Sequence, residues 1–140
     1  MIIAALDIGE VRIGIAKSDE REAVAFGVES YRRTNKDEVD YRYLAEKLAS
    51  LNAEKVVIGY PLRLDGTEGP AAIKIKAFME AFGQYTDIPC VLYDERLTTA
   101  QAQRVLIGGQ VRRKKRKNVI DLLAAQLILQ GYLHGGRKAL

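Results

Sequence analysis

The whole chain of 140 residues holds one cysteine, Cys90, and one histidine, His134. A lone cysteine cannot form an internal disulfide, and one residue of each kind cannot supply the four ligands of a zinc site. Ser-His-Asp or Cys-His machinery would depend wholly on His134, close to the C-terminus, which disfavours both. Proline is scarce, with three residues, and the 12 glycines are too few for a low-complexity chain. A hydrophobic fraction of 48% is too high for a disordered one. No apolar run approaches the ~18 residues that a membrane span needs. The opening Met1-Ile2-Ile3-Ala4-Ala5-Leu6-Asp7 has no basic region and soon reaches an acid, unlike a secretory signal. These absences point to a reducing, cytoplasmic setting and to no membrane partner.

What is present fits one domain over residues 1–140, a length at which a core buries roughly two-thirds of the unfolded surface without staples. The net charge of +4 is unevenly spread. The run Arg112-Arg113-Lys114-Lys115-Arg116-Lys117 carries six positive charges, and without it the chain stands at −2. A mildly acidic domain with one concentrated basic segment suggests local docking of phosphate rather than general stickiness.

Hydrophobic patterning predicts strands over Ile2–Leu6 and Val11–Lys17, close enough to form a hairpin, and a third over Val24–Ser30. Asn35 with Glu38 reads as a capping box before a helix carrying Val39, Tyr43, Leu44, Leu48 and Leu51. Strand–helix alternation follows, with strands over Lys55–Ile58 and Pro89–Tyr93. The turn Asp65-Gly66-Thr67-Glu68-Gly69 leads to Pro70 in the first turn of a helix reaching about Phe82. Thr98 with Gln101 caps a helix to about Ile107, ended by Gly108-Gly109. The basic run then reads as an exposed loop, and Asn118 opens a last apolar helix to about His134. The expected fold class is α/β, a mixed five-stranded sheet flanked by helices.

Three acids stand out against apolar surroundings. Asp7 ends the first strand, Asp94-Glu95 follow the fifth, and Asp121 opens the last helix on the stripe of Ala124, Ala125 and Ile128. If the first, fourth and fifth strands run parallel, Asp7 and Glu95 meet at the rim where open α/β sheets bind ligands. Acids converging without cysteine or histidine make a hard oxygen site suited to Mg²⁺ or Mn²⁺, a recurrent arrangement for phosphodiester cleavage. Each acid also has a plainer explanation. Asp121 can be a first-turn acid favoured by the helix dipole, Asp94-Glu95-Arg96 a surface turn with a local ion pair, and Asp7-Ile8-Gly9 an ordinary hairpin turn. The basic run can be a solvated loop. Phosphate loops fail: Gly9 and Gly14 are spaced as in a P-loop, but Ile15-Ala16 replaces Lys-Ser/Thr, and no GxGxxG occurs.

Four blocks carry a family resemblance across nearly the whole chain. They are Leu6-Asp7-Ile8-Gly9 with Arg12-Ile13-Gly14-Ile15-Ala16-Lys17-Ser18-Asp19, then Ile58-Gly59-Tyr60-Pro61-Leu62 with Asp65-Gly66-Thr67-Glu68-Gly69. Asp94-Glu95-Arg96-Leu97-Thr98-Thr99 follows, and Ile120-Asp121-Leu122-Leu123-Ala124-Ala125 with Ile128 to Leu133 closes the set. In this order they resemble the YqgF/RuvX family, RuvC-like bacterial proteins of the ribonuclease H-like fold described as pre-16S rRNA nucleases or Holliday junction resolvases. The resemblance implies catalytic and metal-binding roles for Asp7, Glu95 and Asp121. It also implies processing of the 5′ end of pre-16S rRNA during ribosome biogenesis, with structured RNA as partner and ribosomal or assembly components nearby. Arg12 and Arg96 join Arg112, Arg113, Lys114, Lys115, Arg116 and Lys117 as candidate nucleic-acid contacts. Tyr60 stands where a leucine is common, and Arg63-Leu64 replace a pair that is often polar. Two other functions stay open: a resolvase-like endonuclease on DNA junctions, and a nucleic-acid-binding factor without catalysis. An actin- or sugar-kinase-like ATPase also uses an Asp-x-Gly hairpin, but it closes two domains over its nucleotide, and this chain has the length of one.

Overall fold

In the computed structural model, five strands form one sheet in the order β3-β2-β1-β4-β5. It describes residues 1–97, 113–137 and 139–140, with side chains for all of these except 97 and 113–121. The strands are β1 (Ile2–Ile8), β2 (Arg12–Ser18), β3 (Ala25–Arg32), β4 (Ala53–Tyr60) and β5 (Cys90–Asp94). The helices are α1 (Asp37–Ser50), α2 (Pro70–Phe82) and α3 (Arg113–His134). Strand β1 pairs antiparallel with β2 and parallel with β4, and β4 pairs parallel with β5. The parallel trio and the hairpin match the sequence reading; β1, β3 and β4 run two, one and four residues longer than expected, and β2 and β5 keep their expected length, shifted by one residue. Main-chain pairing continues past the apolar residues, so Asp7 lies inside β1 rather than after it.

Both faces of the sheet are covered, which is why β1 and β4 read as unbroken apolar runs. Ala4, Leu6, Ile13, Ile15, Val56 and Ile58 pack against Leu44 and Leu48 of α1 and Ile75, Phe78 and Phe82 of α2. On the other face Ile3, Ala5, Ala16, Val57 and Tyr93 pack against Ala125, Ile128, Leu129 and Tyr132 of α3. Helix α3 lies chiefly across β2, β3 and β1. In the β1–β2 turn, Gly9 N donates to Arg12 O at 2.8 Å. A β-carbon on Gly9 would come within 2.7 Å of that same oxygen, so the turn requires glycine there.

Two sequence expectations are corrected. The capping box at Asn35 does not form: Lys36 is the N-cap of α1, without a side-chain cap bond. The loop is instead organised by Asp40, which is fully buried. Its Oδ1 accepts from Tyr31 Oη at 2.8 Å and Thr34 N at 2.9 Å and lies 3.0 Å from Thr34 Oγ1. Arg33 Nε stands 3.5 Å from Asp40 Oδ2. Burial and the neighbouring Asp40 push the Tyr31 hydroxyl up to about 12. The second correction concerns the basic run, expected as a loop before a helix starting at Asn118. From Arg113 onward it is helical backbone and forms the first turns of α3. Lysine and arginine are good helix formers, and extending an existing helix costs less than nucleating one. The helix expected to end near Ile107, with Gly108-Gly109, and residue Arg112 lie outside the described residues. Among the described residues no helix is long and apolar enough to cross a membrane.

The Asp40 cluster yields a stability test. Asp40→Ala leaves Tyr31, Thr34 and Arg33 without their shared acceptor, and urea unfolding should show a loss of roughly 3–5 kcal/mol. Asp40→Asn, which keeps one acceptor oxygen, should lose less. Equal losses for the two would assign the effect to packing alone.

Candidate active site

Asp7 is 8% exposed and is the last residue but one of β1. It pairs with Gly14 of β2. On the other side, Leu6 pairs with Ile58, so Gly59 is the next residue along β4 beside Asp7. Side chains alternate along a strand, which puts Asp7 on the face of Ile3 and Ala5, under α3. It is therefore flanked by glycine on both neighbouring strands, and the sheet on either side of the carboxylate presents no side chain. A glycine inside a strand often marks such a close approach.

Glu95 follows β5 in a 3₁₀ turn over Glu95–Leu97 and is 3% exposed. Its side chain folds back across Gly59: a β-carbon there would lie 2.7 Å from Glu95 Oε1 and 2.7 Å from Ile128 Cδ1. Asp7 and Glu95 thus lie buried on the α3 side of one rim, with the Gly59 strand between them. Asp121 lies in α3 four residues before the buried Ala125 and seven before the buried Ile128, and its side chain falls outside the described residues. The sequence patterning singled out the acids but gave no role to Gly59, which stood only in the family block Ile58-Gly59-Tyr60-Pro61-Leu62.

Asp94 is buried too, but its carboxylate is engaged elsewhere. Arg96 Nη2 donates to Asp94 Oδ2 at 2.7 Å, and Arg96 Nε lies 3.1 Å from each carboxylate oxygen. The same guanidinium donates through Nη1 to Leu64 O at 3.2 Å, fastening the turn after β4 beside the strand end. The Arg96 guanidinium holds the Asp94 carboxyl below its ordinary 3.8. Arg12, half-buried, pairs across the ladder with exposed Arg32 on the Asp7 face. Like charges directly opposite are unfavourable unless an anion sits between them. Arg32 escaped the sequence reading because only the β2–β3 register brings it to Arg12. Of the basic run, residues 113–117 lie in the first turns of α3 and their side chains fall outside the described residues.

The donor set is carboxylate oxygen alone, which suits a hard cation that keeps several waters and takes one or two protein carboxylates. Among the described residues no group of three potential ligands is drawn together. Asp7 and Glu95 supply two, and the third expected, Asp121, is not among the side chains described.

The chain matches the RuvX family, described as Holliday junction resolvase, over residues 1–135. The chain belongs to the RuvX family. Proteins carrying the provisional name pre-16S rRNA nuclease share this family's sequence at high coverage. That of Shouchella clausii is 45% identical over 129 residues, 91% of each chain. That of Bacillus subtilis is 42% identical over 135 residues, covering 95% of this chain and 97% of its own. Among solved structures, Thermus thermophilus RuvC in complex with a Holliday junction substrate superposes with a TM-score of 0.61 at 15% identity. It covers 100% of this chain and 99% of the RuvC chain, and it establishes a shared fold, the ribonuclease H-like one. RuvX-family proteins are nucleases, and the chain is accordingly a phosphodiester-cleaving enzyme.

Two measurements probe this rim. Gly59→Ala pushes a methyl group into Glu95 and Ile128, and thermal unfolding should show a loss of about 1–3 kcal/mol. Nuclease activity should fall by about a hundredfold as Glu95 is displaced; wild-type activity in a folded Gly59→Ala protein would show that the contact is dispensable. The second is a pH test. A carboxyl held below its ordinary value stabilises the fold above the ordinary carboxylate range, and this is lost as pH falls through the folded value. Arg96→Gln should therefore melt below wild type at neutral pH, with the gap closing as the pH drops below 3.8. A gap constant with pH would assign the loss to the Leu64 contact.

Proposed function

We propose that this protein is a metal-dependent nuclease acting on structured RNA, trimming the 5′ end of the 16S rRNA precursor in the cytoplasm alongside ribosome-assembly components. The observation that carries this reading is the pair of buried carboxylates, Asp7 and Glu95, on one side of a rim kept open by Gly14 and Gly59. Buried carboxylates are costly unless cations or hydrogen bonds satisfy them. The names of the RuvX-family relatives supply the RNA.

In this reading Asp7, Glu95 and Asp121 hold Mg²⁺ or Mn²⁺. The bound metal supplies activation of the attacking water and stabilisation of the leaving oxygen. The chain's own contribution is placement. Strand pairing fixes Asp7, and Gly59 with Ile128 fixes the Glu95 side chain. Arg12 and Arg32 take the phosphate beside the rim, and Arg96 holds the turn at Leu64 that borders it. The run Arg112 to Lys117 docks the nucleic-acid backbone as a block of positive charge. A second reading, cleavage of DNA junctions, is favoured by the family's description.

One assay separates them: precursor 16S rRNA 5′ fragments and four-way DNA junctions, each offered with Mg²⁺, Mn²⁺ or chelator. Cleavage of the precursor should need the metal, and Asp7→Asn, Glu95→Gln and Asp121→Asn should each lower it by about a hundredfold or more. RNA binding by the three variants should stay within a few-fold of wild type, because the basic residues are untouched. Undiminished cleavage by Asp7→Asn would overturn the site. Preference for the junction would replace RNA with DNA as the substrate.

A further inference from the structure

On the sheet face opposite the carboxylates, a cavity of about 820 Å³ opens between α1 and α2. Its mouth is formed in part by Ile8 and Gly9. Ile8 follows Asp7 in β1 and by alternation faces the other way, so cavity and carboxylates flank the same strand end. A nucleic-acid strand lying across the rim at Gly9 therefore meets both.

The lining is specific about what it accepts. Tyr41 and Phe78 meet edge to face, with ring centroids 5.1 Å apart. The Arg33 guanidinium lies 5.5 Å from the Phe78 ring centroid and is anchored by donating to Gly9 O at 2.9 Å. Charge in the cavity is already matched. Arg33 pairs with Asp37 at 3.4 Å and with Asp40 at 3.5 Å, and Lys74 pairs with Glu10 at 3.3 Å. A phosphate or a metal ion would gain little from walls that are neutralised in this way. A flat, neutral heteroaromatic group would gain the partly exposed Tyr41 ring and Arg33 guanidinium to stack on. The volume falls in the usual range of small-ligand sites, and such sites are mostly apolar with a few polar groups that set orientation.

We propose that this cavity receives an unpaired nucleobase of the substrate strand, adjacent to the phosphodiester that lies at the rim of Asp7 and Glu95. The proposal rests on the nuclease reading and deepens it. The enzyme would select a single-stranded flank beside its cleavage site, since a paired base would first cost a few kcal/mol of unpairing and unstacking. Stacking of unpaired bases on aromatic rings and on arginine is a general mode of RNA recognition.

The test uses full-length Asp7→Asn protein, which should not degrade the probe, and single-stranded RNA oligonucleotides in which one abasic residue is stepped along the chain. Binding should weaken about tenfold at one position or two adjacent ones and stay flat elsewhere, the scale expected for losing one stacked base. Filling the cavity from exposed positions on α2 with Ala77→Phe, or independently Ala71→Phe, should cost the same factor on intact RNA. Neither should cost anything further on RNA already abasic at the sensitive position, because the lost contact is shared. A flat abasic series, or equal losses on intact and abasic RNA, would overturn the pocket while leaving the nuclease assignment in place. That result would leave the groove to an apolar protein segment. Failure to bind RNA at all would overturn both.

Discussion

Strand β1 is hydrogen-bonded along both edges and covered on both faces, so it has nowhere to move and no water to turn to. Everything the rim does depends on that confinement. Antiparallel pairing with β2 sets Gly14 beside Asp7, and parallel pairing with β4 brings Gly59 up on the other side. A carboxylate placed at the end of such a strand is held by the whole sheet through main-chain pairing. The glycines then do by omission what no polar residue could, leaving room above the sheet for Glu95 on one side.

The rim is also tied to the layer that α1 and α2 form. Arg33 reaches from the end of β3 to the carbonyl of Gly9 while standing against Asp40 of α1 and over Phe78 of α2. Arg96 plays a similar part at β5, joining Asp94 to the carbonyl of Leu64. Each arginine stiffens a turn that borders the carboxylates. The neutralised cavity and the acid pair are thus two sides of one strand end, with Gly9 between them.

Much of the frame was legible in the chain. Apolar runs in β1, β4 and β5, Pro70 opening α2 and the short gap before β2 located the elements, because each is a local demand of burial or backbone geometry. The capping box at Asn35 misled for a non-local reason. Asp40, five residues further on and fully buried, gathers Tyr31, Thr34 and Arg33 and so fixes the start of α1. The basic run misled because helix propensity, and the ease of extending a helix whose later turns pack on the sheet, outweigh mutual repulsion of the charges.

By itself the sequence determined which residues could carry chemistry. With one cysteine and one histidine, the acids set among apolar residues stood out, and the family blocks Leu6 to Gly9 and Asp94 to Thr99 surround two of them. Tertiary structure alone decided which acids share a face. Asp94 and Glu95 are adjacent and equally buried, yet one turns to Arg96 and the other lies over Gly59. Register likewise set Arg32 opposite Arg12, and packing of α1 against α2 left the cavity beside Gly9. Strand order, register and helix packing bring together residues far apart in the chain, and the spacing of residues along one strand or helix carries no record of which partner will lie across from it.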